Sequence, residues 1–366
     1  MLQDWGYSLS GNTGFAVDPK SPQDVYLPGG NDTFLRYHVN YDTADWKLQS
    51  VWHGIHIDGL TYPEILHHAG RKYVTFKRFG RDGTSLFRFD GDRLLPSAGI
   101  ILEKRQGQPN AYFTWHDANG NGKRDADEIS PLDVPRGLDR YWGDYRQDDL
   151  SVLAPRAGTQ DVYRLPVTRL DDHGNPIYGV WEKVFTDEIY AARAADTGPA
   201  IYGGNEAVSA FNGDWGSVRA LSDGEFVVNM RGGTFSANHG WQQKLSRYVP
   251  NGQGGLRQKW RVGRIANITS EPTGVHGSIH VTRPMHGLIG IVDQSRAGMH
   301  VFTWDSGLYV DTLMLPADRE YDTVYGSPGE FFTGAAHKVN DRVFLQWGKS
   351  MPFLFEVEGW TAENGI

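Results

Sequence analysis

The sequence predicts an all-β fold, and three observations support this prediction. Glycine accounts for 45 of the 366 residues, which is well above its usual share. The chain also contains 12 Trp, 17 Tyr and 17 Phe, and this combination of glycine and aromatic residues is typical of many short strands joined by tight turns. Apolar residues at the three- and four-residue spacing of a helix are scarce. We therefore expect one all-β domain spanning residues 1–366, without a linker.

Strand-like runs recur in groups of three or four, and Gly, Asp or Asn residues separate the runs. Six groups begin near residues 14, 64, 150, 217, 287 and 331. Groups of about four strands at roughly 40–60-residue spacing are typical of a β-propeller, in which sheets pack face to face around an axis. Six blades fit this spacing best, and seven are the alternative count. A two-sheet sandwich is the alternative fold, but it would be unusually large at this length.

The last group is one strand short. It contains only the runs at 331–334, 342–347 and 353–357. Propellers commonly complete a blade with a strand from the other terminus, which covers two open sheet edges. We therefore expect residues 5–9 to pair with the strand at 353–357.

Residues 116–130 have the spacing of an EF-hand calcium loop. Such loops place oxygen ligands at positions 1, 3, 5, 9 and 12, a backbone carbonyl at position 7 and Gly at position 6. The matching residues are Asp117, Asn119, Asn121, Gly122, Lys123, Asp125 and Glu128. Lys123 would supply its carbonyl, and the other ligands are the hard oxygen donors that Ca²⁺ prefers.

The residues before this loop, 111–115, are aromatic and β-branched, which indicates a strand where an EF-hand has a helix. We therefore expect a structural calcium site between strands, inserted in the third blade. The alternative is an Asn- and Gly-rich surface turn without a metal, since these residues are common in turns.

Composition excludes several classes of function. The net charge of −8 and the absence of a basic run argue against a nucleic-acid partner. The absence of Cys excludes disulfides and thiolate metal sites. No apolar run approaches the ~18 residues of a membrane span, and the N-terminus has no signal-peptide pattern. Because calcium loops fill readily outside the cytoplasm, we expect a secreted or periplasmic protein whose signal peptide is absent or removed. We also expect the protein to be a monomer.

Six further segments carry a resemblance to known proteins. They are residues 70–74, 87–92, 115–128, 174–178, 274–278 and 305–310. In these segments the chain resembles large secreted bacterial β-propeller proteins with NHL-like or quinoprotein-like blades and an embedded EF-hand-like loop. The resemblance implies a propeller fold and an extracellular location, and many such proteins occur beside polysaccharide-degrading systems. It does not imply a quinone cofactor.

Two groups of histidines are candidates for a second site. His53 and His56 precede His67 and His68, whereas His276 and His280 precede Arg283. Either group could contribute imidazole ligands to a transition metal if loops converge at the propeller axis, because imidazole binds Zn, Cu and Fe. The alternative is that these histidines are structural, with hydrogen-bonded ring nitrogens.

The second group predicts chemistry on an acidic polysaccharide. A lyase needs a base that removes the proton next to a uronate carboxylate and a cation that neutralises that carboxylate. His276 or His280 could be the base and Arg283 the cation, and Arg231 and His239 could join them from the preceding blade. The alternatives are a glycoside hydrolase with two carboxylates, a His-ligated metalloenzyme, and a scaffold that binds carbohydrate or protein through aromatic side chains.

Overall fold

The structure of the chain is a computed structural model. It describes residues 14–28, 33–55, 63–76, 86–103, 105–107, 111–135, 138, 145–156, 161–186, 217–221, 223–232, 242–262, 281–293, 298–314, 333–348 and 352–358. Within these ranges the regular structure consists of β-strands and one turn of 3₁₀ helix at Ala126–Glu128. No helix in the described ranges is long and apolar enough to cross a membrane. The all-β prediction is confirmed.

The strands form antiparallel sheets, which we number blade 1 to blade 6 in chain order. Blade 1 contains β1 (Ala16–Asp18), β2 (Ser21–Pro28), β3 (Thr33–Asn40) and β4 (Asp45–His53). Blade 2 contains β5 (Pro63–His68), β6 (Arg71–Phe76), β7 (Leu86–Asp90), β8 (Arg93–Glu103), β9 (Ala111–His116) and β10 (Ile129–Pro131). Blade 3 contains β11 (Tyr145–Arg146), β12 (Val152–Pro155), β13 (Asp161–Leu165) and, after a separate hairpin of β14 (Val167–Leu170) and β15 (Pro176–Tyr178), β16 (Glu182–Thr186).

The second half of the chain repeats the same meander. Blade 4 contains β17 (Ser217–Ala220), β18 (Phe226–Gly232), β19 (Gln242–Pro250) and β20 (Leu256–Val262). Blade 5 contains β21 (Leu288–Asp293), β22 (Gly298–Thr303) and β23 (Tyr309–Met314), and Val281 adds a single bridge to Ile291 on its inner side. Blade 6 contains β24 (Thr333–Val339), β25 (Arg342–Gly348) and β26 (Pro352–Val357).

The core lies between the blades. Each pair of neighbouring sheets shares a cluster of buried apolar side chains, which removes a large apolar area from water. Representative pairs, from blades 1 and 2 onward, are Phe34 with Ile65, Leu66 with Leu150, Leu153 with Val218, Leu245 with Ile289, and Val292 with Leu345. Val25 and Phe344 join blade 6 to blade 1, so the described sheets close into a ring, as those of a propeller do.

The structure corrects the position of the predicted calcium loop. The loop connects β9 to β10, which pair at Trp115 and Ile129, and β9 pairs with β8 at His116 and Ala98. The loop therefore extends blade 2 at its outer edge, and the prediction of an insertion in the third blade is wrong. The error arises because strand pairing, which the local sequence does not show, decides which sheet a hairpin joins.

Two other strand predictions have different outcomes. The run at 178–181 is not a strand of blade 3, because Tyr178 ends the separate β14–β15 hairpin and β16 takes the outer position. The predicted closing segment, residues 5–9, lies outside the described residues. Among the described strands, β26 pairs only with β25, so the pairing of residues 5–9 with β26 stays a prediction.

Candidate functional sites

The innermost strands of the blades surround a pocket at the propeller axis, which we call the axial pocket. Blades 1, 2, 4, 5 and 6 all contribute to its lining, which includes Phe15, Glu64, Arg219, Arg283, Met285 and His337. A pocket at a point where several sheets converge is a common position for a ligand site.

Four charged residues form an axial cluster that begins in the wall of this pocket. Glu64 on β5 accepts hydrogen bonds from Arg219 at 2.8 Å and from Arg283 at 3.1 Å through the same carboxylate oxygen. Arg283 also binds Asp148 with both terminal nitrogens, at 2.7 and 2.5 Å. The carboxylates of Glu64 and Asp148 hold the pKa of Arg283 above its usual value, although burial acts to lower it. The guanidinium therefore stays charged.

Exposure divides this cluster into an anchored part and an open part. The side chains of Glu64 and Arg219 are 11% and 6% exposed, whereas that of Asp148 is 63% exposed. Asp148 lies in the turn between β11 and β12, and its neighbour Gln147 fixes this turn to blade 4 through the backbone of Val218 and Ala220. The exposed carboxylate is thus held beside Arg283 by a braced turn.

His337 lies on β24, in the wall of the axial pocket, and is 2% exposed. Its ring stacks on Phe344, with 5.8 Å between ring centroids, and lies 5.4 Å from the ring of Tyr41. Burial lowers the pKa of His337 from 6.5 to about 3, so the imidazole is neutral near pH 7. Among the described residues, neither ring nitrogen has a hydrogen-bond partner.

A second polar cluster, which we call the loop corner, lies where the predicted calcium loop contacts blade 3. Arg88 on β7 donates hydrogen bonds to Asp117 at 2.7 Å and to Asn175 at 2.8 Å. Asn175 follows the turn of the β14–β15 hairpin, accepts a bond from Ser97 at 2.7 Å and donates one to the carbonyl of Asp117 at 2.6 Å. Asp117 is fully buried, so this cluster ties the loop to the hairpin without exposing a charge.

The predicted calcium loop has the expected turn. Gly122, at position 6, has φ +72°, and its N–H donates to the Asp117 carboxylate at 3.0 Å. Position 120 also requires glycine, because a Cβ atom there would lie 2.6 Å from the His173 ring. These features match the sharp turn that an EF-hand loop needs at position 6.

The oxygen ligands of the loop meet part of the requirement for calcium. The amides of Asn119 and Asn121 converge on one oxygen of Asp125 at 2.8 and 2.9 Å, and these bonds hold the pKa of Asp125 below its usual value. The Glu128 carboxylate accepts bonds from Trp115 and from the N–H groups of Asn119 and Asp125. The hard donors and the turn suit Ca²⁺. In the described part of the chain, however, no three His, Asp or Glu side chains are gathered as a metal site.

Of the five predicted catalytic residues, the structure places Arg283 in the axial pocket. Arg231 lies on β18 with its backbone opposite Gln243. His239, His276 and His280 lie outside the described residues. The prediction that these residues meet therefore stays a prediction.

The first histidine group is spread over two blades. His53 ends β4 with an exposed side chain, and His56 lies outside the described residues. His67 on β5 approaches Asp18 at 2.7 Å, and Lys72 binds the same carboxylate at 2.5 Å. Hydrogen bonds from Lys72 and His67 hold the pKa of Asp18 below its usual value against the opposing effect of burial. This arrangement gives His67 a structural contact between blades 1 and 2.

Comparison with known proteins supports the fold. The chain is similar to the β-propeller domain of Cps50 (Swd1) from Myceliophteria thermophila, with a TM-score of 0.50 and 10% identity over 98% of this chain and 100% of that one. The fold is a β-propeller. Weaker similarities are to YCF48 bound to a D1 peptide (TM-score 0.48, 10% identity, 98% and 99% coverage) and to the periplasmic gluconolactonase of Pseudomonas aeruginosa (0.44, 14%, 82% and 84%).

At these identities, structural similarity shows the propeller fold alone. No protein-family model matches the chain, and no curated protein sequence matches it either.

Proposed function

We propose that this propeller binds an acidic ligand at the axial pocket and that Arg283 recognises the ligand's carboxylate. The observation that supports this proposal is the pairing of Arg283 with Asp148, an exposed carboxylate bound through both terminal nitrogens. Such two-point binding is the geometry in which a guanidinium recognises a carboxylate. Asp148 therefore occupies the position that the carboxylate of a ligand would take.

Exchange of Asp148 for a ligand carboxylate would be inexpensive. The Asp148 side chain is 63% exposed, so its carboxylate would be hydrated on release while the ligand carboxylate took its place at Arg283. Arg283 would keep its second partner, Glu64, which in turn stays bound to Arg219. No buried charge would lose its partner during the exchange.

Acidic polysaccharide is the ligand class that we propose. Its uronate units carry the required carboxylate, and the resemblance to propellers found beside polysaccharide-degrading systems supports this choice. Arg283, in the wall of the axial pocket, is the cation that this carboxylate would meet.

Binding of polygalacturonate, measured by isothermal titration calorimetry, tests the proposal. We expect Arg283→Met to weaken binding at least tenfold, because a truncated charge partner typically costs about 2 kcal/mol or more. Arg93→Met is the matched control, since it also removes an arginine paired with an aspartate but at an exposed site on blade 2. Neutral dextran should not bind. Equal affinity in the wild type and Arg283→Met would refute this function.

A polysaccharide lyase is the second candidate. The position of Arg283 in the axial pocket favours it, because an elimination reaction needs a cation at the uronate carboxylate. The base would be His276 or His280. Ultraviolet absorbance of the unsaturated product distinguishes the two candidates: product formation that His276→Ala or His280→Ala abolishes supports the lyase, and binding without product supports the binder.

We also propose that the loop at 117–128 binds one structural Ca²⁺. The positional match of its oxygen donors and the positive φ of Gly122 support this proposal. Asp117, Asn119, Asn121, Asp125 and Glu128 would supply side-chain oxygens, and Lys123 its carbonyl. A secreted or periplasmic location accords with it, because calcium is abundant there.

A further inference from the structure

The first ligand of the predicted calcium loop is paired with a fixed cation. Arg88 on β7 is 5% exposed, and its Nη1 donates to the Oδ2 atom of Asp117 at 2.7 Å. The Oδ1 atom of Asp117 accepts a hydrogen bond from the N–H of Gly122 at 3.0 Å. Both oxygens of this carboxylate therefore have partners from the protein itself.

Arg88 is held in place by groups other than Asp117. It donates to the amide oxygen of Asn175 at 2.8 Å and to the carbonyls of Pro96 and Gly120 at 3.2 and 3.4 Å. In the described part of the chain, however, Asp117 is the only carboxylate within ion-pair distance of Arg88. A calcium ion that binds Asp117 would therefore compete with a guanidinium that cannot move away to another carboxylate.

Calcium can enter the loop from its solvent side. Asn119 and Asn121 are exposed, and the Asp125 carboxylate that their amides contact is partly exposed. Glu128, the last predicted ligand, is 6% exposed and accepts bonds from one indole and two backbone N–H groups. An entering ion thus meets accessible oxygens first and then has to compete for Asp117 and Glu128.

A positive charge beside a cation site lowers the affinity of that site. Two cations that share one carboxylate repel each other, and the repulsion is strong where water is largely excluded. The dissociation constants of calcium loops range from about 10⁻⁹ to 10⁻³ M, and the charge of the ligand set is one cause of this range. Arg88 offsets the charge of Asp117, which is one of only three carboxylates among the predicted ligands.

We propose that Arg88 determines the calcium affinity of the loop by competing with the ion for the carboxylate of Asp117. This inference rests on the proposed calcium site and specifies its affinity. With Arg88 in place, the dissociation constant lies at about 10⁻⁴–10⁻³ M, the range of extracellular calcium modules. The loop then fills only where calcium reaches such concentrations, and Arg88 compensates Asp117 wherever the ion is scarce.

Calcium titration of the wild type and three variants by isothermal titration calorimetry tests the inference. Arg88→Met removes the competing charge and should tighten calcium binding at least about tenfold. Arg88→Lys keeps the charge and should bind calcium less tightly than Arg88→Met. Arg93→Met is the matched control, because it removes an exposed arginine from the same blade, and it should leave the affinity unchanged.

The outcomes separate this inference from the proposed calcium site. Equal affinities of the wild type and Arg88→Met would overturn the inference and leave the site standing. Weaker binding by Arg88→Met would also overturn it, because Arg88 would then support the ligands instead of competing for one. Binding by Arg88→Met alone would support the competition and refute calcium binding by the native loop. If neither protein bound calcium, the site and the inference would both fail.

A second measurement covers the case in which Arg88→Met does not fold. The guanidinium nitrogen resonances of Arg88 in the wild type should shift when calcium is added, whereas those of Arg93 should stay in place. Resonances of Arg88 that do not respond at calcium concentrations that stabilise the wild type would overturn the inference without any variant. A wild-type dissociation constant below about 10⁻⁶ M would do the same.

Discussion

The loop corner and the axial cluster both join arginines to carboxylates, but they differ in what surrounds them. At the loop corner, Arg88 and Asp117 are buried, and Asn175 satisfies both of them. In the axial cluster, Arg219 is buried and the Glu64 side chain is 11% exposed, but Asp148 is mostly exposed. We call the buried Arg88–Asp117 pair closed, because solvent scarcely reaches it. We call the Arg283–Asp148 pair open, because its carboxylate is exposed to solvent.

This difference separates structure from binding. In a closed buried pair each charge compensates the other, and removing one member leaves an uncompensated charge. An open pair can exchange its exposed member for a charged ligand at little cost. This contrast supports a stabilising role for the loop corner and the binding role proposed for the axial cluster.

The largest expected effect comes from breaking the loop corner. Arg88→Met leaves Asp117 buried without its cation, and we expect the free energy of unfolding to fall by about 3–5 kcal/mol. Urea denaturation measures this loss. Arg93→Met removes the exposed partner of Asp90 on the same blade and should cost less than about 1 kcal/mol. Similar losses in the two variants would remove the contrast between closed and open pairs.

We expect calcium to stabilise the protein only through the loop at 117–128. If the loop binds Ca²⁺ when folded, calcium at a hundred times its dissociation constant stabilises the protein by about 2.7 kcal/mol. Thermal melts with calcium and with a chelator measure this gain. Glu128→Gln should abolish it, and Glu103→Gln, an exposed substitution outside the loop, should not. A calcium-dependent gain that persists in Glu128→Gln contradicts the assignment.

The pH dependence of stability tests the burial of His337. In the unfolded chain the group binds a proton near its ordinary pKa of 6.5, whereas burial lowers the folded pKa to about 3. Between these values the unfolded state binds more protons, so stability is lost as the pH falls below 6.5. At about pH 5.5 the loss from this one group is about 1.4 kcal/mol. His337→Phe should lack this component in urea denaturation curves, and an identical pH dependence in both proteins would contradict the burial.

The smallest expected effect comes from removing the charge of Asp148 in the axial cluster. Asp148→Asn removes the charge that competes with a ligand carboxylate, so we expect acidic ligands to bind about two- to fivefold more tightly, as an exposed pair of up to about 1 kcal/mol implies. Asp90→Asn changes an exposed, arginine-paired aspartate away from the pocket and should have no effect. Weaker binding in Asp148→Asn would mean that Asp148 contacts the ligand instead of making way for it.

Much of the fold could be predicted from the sequence, because runs of β-branched and aromatic residues separated by Gly, Asp and Asn are a local signal for strands. The run at 34–39, for example, lies within β3, and the run at 342–347 lies within β25. The pairing of the strands was harder to predict from the sequence. The loop at 117–128 joined blade 2 because His116 pairs with Ala98, a choice that no local pattern records.

The site was harder to predict than the fold. Arg283 was recognised as a cation near histidines, but Glu64, which binds it, is 219 residues away in the sequence. The two meet only because the ring of blades closes.

The six strands of blade 2 carry one further consequence. Glu64 lies on β5, and the calcium loop follows β9, four strand positions away in the same sheet. At about 4.8 Å between neighbouring strands, β5 and β9 lie about 19 Å apart. Free-energy changes at sites this distant, without shared partners, usually add. Calcium should therefore leave the dissociation constant of the acidic ligand unchanged. Calcium-dependent stability at the outer edge of blade 2 and ligand affinity at the axial pocket would then be two separate properties.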